Sequence, residues 1–392
     1  MDPKSGTIFV AVAVAAVVGA MAFAMVMDDD SDDSEIIGTW NNAYTEGYYA
    51  TGEYYVGETV NVFPLVISWC SDTQFSGYYN GDPIIGTIDG IILNFSIVDD
   101  VSSKLFILDA SSAADGLLYA SVFTNTEDGF EAWYDSYVKE GSSADPSERT
   151  AVSISDMHWD LKKGLTYQMD GSILETTETG HSFTFTDVRD NVAKFTSVGY
   201  YGTLEGIAVL KQSPDGTVIV GTVCAVYNGY MGSMDLLIKD GVLNIEFAEF
   251  SIGSDHQVAI DNISYTTGAS VPDKTGPALV GTIWAGAMTT MDTDGNVTTS
   301  DVDYRLVFDH GTANLFCGSL STEDGCRVVA STANIGEYIH LNAAATYEDS
   351  LTIYSGFFNK DMDRLVLTGT TYDGDGAVLE INSLDLVLWS GN

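Results

Sequence analysis

Positive charge is what this chain of 392 residues has least of. Lys and Arg number 15 against 56 Asp and Glu, a formal net charge of −41. No basic run is available to neutralise phosphates, which excludes nucleic-acid binding and adhesion to an anionic bilayer surface. Histidine is as sparse: His158, His181, His256, His310 and His340 include no pair at the spacing of metal ligands on one helix face or one strand face. Neither a Gly-x-Ser-x-Gly elbow nor a phosphate-binding glycine loop occurs. The turn Asp292-Thr293-Asp294-Gly295-Asn296 lacks the sixth-position glycine and the closing glutamate of a calcium loop. Choosing a hydrolytic carboxylate pair among so many acids would be arbitrary. No catalytic residue, metal or cofactor is expected.

Proline is also rare, 7 residues against 39 Gly, and no long stretch with a 3.6-residue apolar period occurs after residue 35. The chain there alternates apolar and polar residues instead, as in Asp301 to Phe308 and Val242 to Phe247, with turn signals such as Lys239-Asp240-Gly241 and Glu127-Asp128-Gly129. The fold class read from this is all-β. Of four cysteines, none has zinc-site spacing. Cys317 and Cys326 flank a turn-like Ser321-Thr322-Glu323-Asp324-Gly325 and are expected on adjacent strands, within reach of a disulfide. Cys70 and Cys224 are read as buried thiols.

The one long apolar run spans residues 6–27, 22 positions without charge or proline. At about 1.5 Å per residue it reaches roughly 33 Å, enough for a bilayer core. Lys4 precedes it, and six acids in the eight residues 28–35 come after it. This asymmetry places residues 1–5 in the cytoplasm, residues 6–27 across the membrane and the bulk outside, beyond an acidic spacer at 28–35. A cleaved signal is the alternative, since Ala22-Phe23-Ala24 has the small-x-small form, and it would make the protein secreted. No cysteine near the run suggests a lipid anchor. Lys4-Ser5-Gly6 loosely resembles an archaeal pilin-type signal. An exported chain makes the sequons at Asn94, Asn262 and Asn296 candidate glycosylation sites, Asn296 foremost because it lies in a turn.

An internal repeat organises the remainder. Gly86-Thr87-Ile88-Asp89-Gly90, Gly202-Thr203-Leu204-Glu205-Gly206 and Gly318-Ser319-Leu320 are spaced by 116 residues in both intervals. Each comes after an aromatic strand containing a glycine and before an apolar strand. Upstream of each stands a tryptophan: Trp40, Trp159 and Trp284. So long a period is a domain, not a solenoid unit. Polar, linker-like stretches set the expected boundaries: repeat 1 at 36–140, a linker at 141–153, repeat 2 at 154–266, a linker at 267–278 and repeat 3 at 279–392. Each repeat has room for about eight strands, the size of a small antiparallel barrel or sandwich.

The openings Gly38-Thr39-Trp40 and Val280-Gly281-Thr282-Ile283-Trp284 resemble the first strand of avidin-like and lipocalin-like barrels. That resemblance implies an up-and-down barrel with Trp40 and Trp284 packed at its floor. The biotin-contacting polar residues of avidins have no match, so biotin binding does not carry over. The densest aromatic group, Tyr44, Tyr48, Tyr49, Tyr54 and Tyr55, is a candidate stacking surface for sugars or a protein partner; a hairpin whose tyrosines alternate between two faces is the plainer reading. The expected function is that of a non-enzymatic, membrane-anchored extracellular surface protein with a structural or adhesive role. A barrel that holds a small ligand or glycan, and an exported hydrolase, are the alternatives.

Overall fold

The computed structural model describes residues 35–389 apart from 59–62, 71–73, 90–91, 99–102, 127–128, 147–150, 155–156, 169–172, 177–179, 200–201, 213–215, 228–229, 251–257, 267–275, 293–295, 301–302, 313, 322–325, 336–337, 348–349 and 373–377. The expected anchor at 6–27, and all of the acidic spacer but Glu35, lie outside these residues.

The described chain is all-β and forms three antiparallel sheets. The first contains β1 (Gly38–Tyr48), β2 (Tyr54–Glu58), β3 (Leu65–Cys70), β4 (Gln74–Tyr79), β5 (Asp82–Asp89), β6 (Ile92–Val98), β7 (Ser103–Asp109), β8 (Leu117–Thr126) and β9 (Gly129–Lys139). The second contains β10 (His158–Gln168), β11 (Ile173–Thr176), β12 (Ser182–Arg189), β13 (Val192–Gly199), β14 (Gly202–Gln212), β15 (Val218–Tyr227), β16 (Tyr230–Lys239), β17 (Val242–Phe250) and β18 (Val258–Thr266). The third contains β19 (Ile283–Asp292), β20 (Val297–Thr299), β21 (Tyr304–Thr312), β22 (Leu315–Ser321), β23 (Cys326–Ile335), β24 (Tyr338–Tyr347), β25 (Ser350–Phe358), β26 (Arg364–Tyr372) and β27 (Val378–Leu388).

Each sheet closes, because its first strand also pairs with its last: β1 with β9, β10 with β18 and β19 with β27. Closure leaves no long open edge. The nine strands of the first sheet make only eight staves. Trp40 to Gly38 pair with β3, whereas Tyr44 to Tyr48 pair with β2, so β2 and β3 share one side of β1. The sequence suggested about eight strands per unit and missed the short β2, β11 and β20.

Alternation sets the barrel interior. Trp40, Leu65, Ile67, Phe75, Phe95, Phe106, Leu118 and Tyr137 are buried in the first core, with Phe95 stacked on Phe106 at 4.5 Å. The second core gathers Trp159, Phe183, Phe185 and Phe195, and the third Trp284, Phe308, Phe316, Tyr354 and Phe358. The three tryptophans stand on the first strands of their sheets and rank among the largest fully buried side chains. The floor role expected for Trp40 and Trp284 fits this burial, and Trp159 takes the matching place.

The third strand of each barrel carries a bulge, at Ile67/Trp69, Phe185/Asp187 and Phe308/His310. Opposite two of these bulges lies a glycine with no room for a side chain. A Cβ on Gly77 would collide with the Val66 carbonyl, and one on Gly318 with the Val307 carbonyl. In the first and third barrels the glycine of the repeated aromatic strand is therefore a packing requirement, whereas Gly199 in the second has open space around it.

The disulfide expected between Cys317 and Cys326 is corrected: both are thiols. They do lie on adjacent strands, but Cys317 faces Val329 and Cys326 faces Leu320. Cys326 is thus three positions from the partner of Cys317, roughly 10 Å along the strand and on the opposite face. Its thiol donates to the Leu320 carbonyl at 2.5 Å.

Candidate functional site

The tyrosine-rich hairpin of β1 and β2 divides between two faces. After the bulge at Asn42/Tyr44, Thr45 and Gly47 point into the barrel, and Glu46 and Tyr48 point out. Tyr54 is paired with Tyr48 on the outer face, and Tyr55 with Gly47 on the inner one. The plainer reading of the hairpin is the one its geometry follows.

The outer face meets the second barrel. Glu46 is fully buried; one carboxylate oxygen accepts from the Asn191 amide at 3.0 Å and the other from the Tyr54 hydroxyl at 3.2 Å. Lys194 donates to the Gly52 carbonyl and stands 5.0 Å from the Tyr48 ring centroid. Arg189 lies 5.5 Å from the Tyr54 ring. Further along, Lys211 pairs with Asp109 at 3.0 Å, both side chains 7% exposed or less, and sits over the Tyr134 ring. Burial, reinforced by the charges of Asp187 beside Tyr48 and Glu46 beside Tyr54, pushes both phenols above the usual tyrosine range. Three of the chain's few cations, all from the second barrel, thus serve one intramolecular seam.

The inner face forms a rim at the end of the first barrel away from Trp40. Tyr49, 44% exposed, lies 4.2 Å from Tyr55, and Tyr55 crosses β1 above Gly47. A Cβ on Gly47 would come within 2.8 Å of the Tyr55 hydroxyl and 2.5 Å of the Trp133 Cβ. Only glycine lets the two aromatic residues meet there. Asp135, the next inward residue on β9, accepts from Thr45 Oγ1 at 2.5 Å, Trp133 Nε1 at 2.9 Å and Tyr137 at 3.4 Å. Burial pushes its carboxyl up to about 6, despite the hydrogen bonds that favour the anion. The same burial, with Asp135 and Glu131 near, raises the Tyr55 phenol.

Of the five tyrosines singled out, Tyr49 and Tyr55 form this rim, Tyr48 and Tyr54 the seam, and Tyr44 stays half-buried on the outer face. Sequence reasoning missed Trp133 and Asp135, which are close to the hairpin only through closure of β9 on β1. Asn296 is exposed; its backbone amide and Nδ2 donate to the Asp292 carboxylate at 2.8 and 2.9 Å, as expected of a turn. Asn94 and Asn262 lie within β6 and β18, and their side chains are outside the described set. The described histidines are dispersed: His158 is exposed beside Thr184 and Asp160, His181 is half-buried just before β12, His310 is exposed, and His340 is buried against Ser355 and Phe357. No group of three metal-binding side chains occurs among the described residues.

The fold and rim define a class: closed antiparallel β-barrels with apolar, aromatic-rich cores among the described residues. No protein-family model and no curated protein matches the sequence. Among solved structures, a protein of unknown function from the DUF3598 family of Nostoc punctiforme PCC 73102 is 10% identical, with a TM-score of 0.25 over 60% of this chain and 96% of its own. A substituted transferrin-binding protein B from Haemophilus parasuis Hp5, described as a vaccine antigen, is 9% identical, with a TM-score of 0.21 over 90% of this chain and 76% of its own. Scores this low carry no function across.

Proposed function

We propose that the chain is a non-enzymatic surface protein, held to the membrane by residues 6–27, that acts in envelope structure or adhesion through protein or glycan contact. The observation that carries this reading is that, among the described residues, buried aromatic and aliphatic side chains occupy the interior of each barrel. Interiors so occupied leave recognition to rims and outer faces, as in a scaffold or adhesin. The repeat spacing of 116 residues and the matched tryptophans and bulges support descent of three tandem domains from one. The dominant negative charge suits a crowded cell exterior, where it resists self-association.

The test is a binding assay on cells that carry the full chain against cells that lack it. The reading expects loss of attachment to neighbouring cells or to glycan-coated surfaces when the chain is deleted. Unchanged attachment and an unchanged envelope would overturn it. A ligand-binding reading is the second choice, favoured by one observation: the aromatic rim of the first barrel, which stays partly exposed while the interior below it is packed.

A further inference from the structure

We propose that the rim of the first barrel is a binding site for a neutral saccharide unit, an inference that rests on the glycan-contact form of the surface reading. Sugars present a C–H face to aromatic rings and hydroxyls to polar groups around them. The rim offers both. Tyr49, Tyr55 and Trp133 supply aromatic surface at the barrel end, and all three keep some exposure.

Polar groups stand beside this surface on the same inward face. Register places Thr124 opposite Glu131 and Val122 opposite Trp133, so Thr124, Glu131 and Trp133 share one side of the sheet. Thr124 is 2% exposed, and its hydroxyl has no hydrogen-bond partner among the described residues. A buried hydroxyl without a partner is costly in a ligand-free protein, and a sugar hydroxyl is a donor and acceptor that fits it. Glu131 is half-buried at the rim and adds an acceptor. Asp135 already accepts from Thr45, Trp133 and Tyr137, and it acts as a positioning residue that fixes the Trp133 indole through Nε1.

An organic cation would also favour aromatic rings and carboxylates. The rim contains Lys104, which pairs with Thr124 in register and faces the same way. A mixture of Lys, Thr and Glu suits neutral hydroxyls better than a cation.

The experiment titrates the full chain in detergent with mannobiose, lactose and chitobiose, and with tetramethylammonium as the cation probe, followed by Trp fluorescence and calorimetry. We expect saturable binding of at least one disaccharide. Tyr55→Ala should weaken it at least tenfold. Thr124→Val should weaken it severalfold while raising the melting temperature, a pair of effects that a merely structural threonine would not give. Tyr54→Ala, on the opposite face, should leave affinity unchanged. Failure of every disaccharide to bind, tighter binding of tetramethylammonium, or wild-type affinity in Tyr55→Ala would each overturn the site. Cells carrying Tyr55→Ala that still attach normally would remove this site while leaving the surface reading intact.

Discussion

Asp135 is a carboxylate held in a barrel interior by neutral groups, Thr45, Asn42, Trp133 and Tyr137 among the described residues. Its native carboxyl is raised from 3.8 to about 6 by burial, so the folded protein binds a proton more tightly than the unfolded chain. Between pH 4 and 6 the native state carries the extra proton, and stability falls as pH rises through this window. The span corresponds to about 3 kcal/mol at most. Thermal unfolding of Asp135→Asn at pH 4 to 8 should therefore lack the pH dependence that separates the native protein at pH 5 from pH 7. An identical pH profile in both proteins would refute this account of Asp135. The tryptophans give a second comparison. Trp40 donates to the Ile36 carbonyl at 2.8 Å and Trp284 to Thr282 at 2.9 Å, whereas Trp159 Nε1 is buried without a partner among the described residues. Replacement by Phe should cost about 1 kcal/mol more at Trp40 than at Trp159 in denaturant unfolding. At this scale the sequence showed which residues were aromatic and periodic. It did not show Asp135 as special, because nothing local marks one acid among 56; only closure of β9 on β1 surrounds it.

Strands and turns were the more legible level. Alternation and turn residues pointed to an all-β chain, and the Gly-Thr-Trp openings to a first barrel strand. Two features escaped. The short strands β2, β11 and β20 carry too few residues to show a period. The disulfide expected at Cys317 and Cys326 failed because adjacency of strands does not fix register, and register decides whether two side chains face each other. Thiol titration of the denatured protein without reductant should find Cys70, Cys317 and Cys326 all reactive, and reductant should leave the melting temperature unchanged. Gly318 tests the packing argument for the repeated glycine. Gly318→Ala forces a methyl group against the Val307 carbonyl and should destabilise by about 1–3 kcal/mol, whereas Gly281→Ala, with open space around it, should act only through its positive φ of 84°.

Between barrels, the molecule spends its scarce cations. Arg189, Lys194 and Lys211 reach from the second barrel to Tyr54, Gly52, Tyr48 and Asp109 of the first, and β24 of the third barrel packs against β17 and β18 of the second. Lys211→Met leaves Asp109 buried and unpaired and should cost about 3–5 kcal/mol, largely recovered by adding Asp109→Leu. No sequence pattern announced this seam, since its two halves are about a hundred residues apart and each looks like an ordinary charged strand end. The surface reading is the claim on which the rest depends, and its direct test is labelling of intact cells with a membrane-impermeant amine-reactive biotin. Lys162, Lys239 and Lys360 are exposed and Lys211 is buried. The account predicts biotin on the exposed lysines of intact cells, none on Lys211, and recovery of the labelled chain in the membrane fraction. Labelling that appears only after lysis would contradict it.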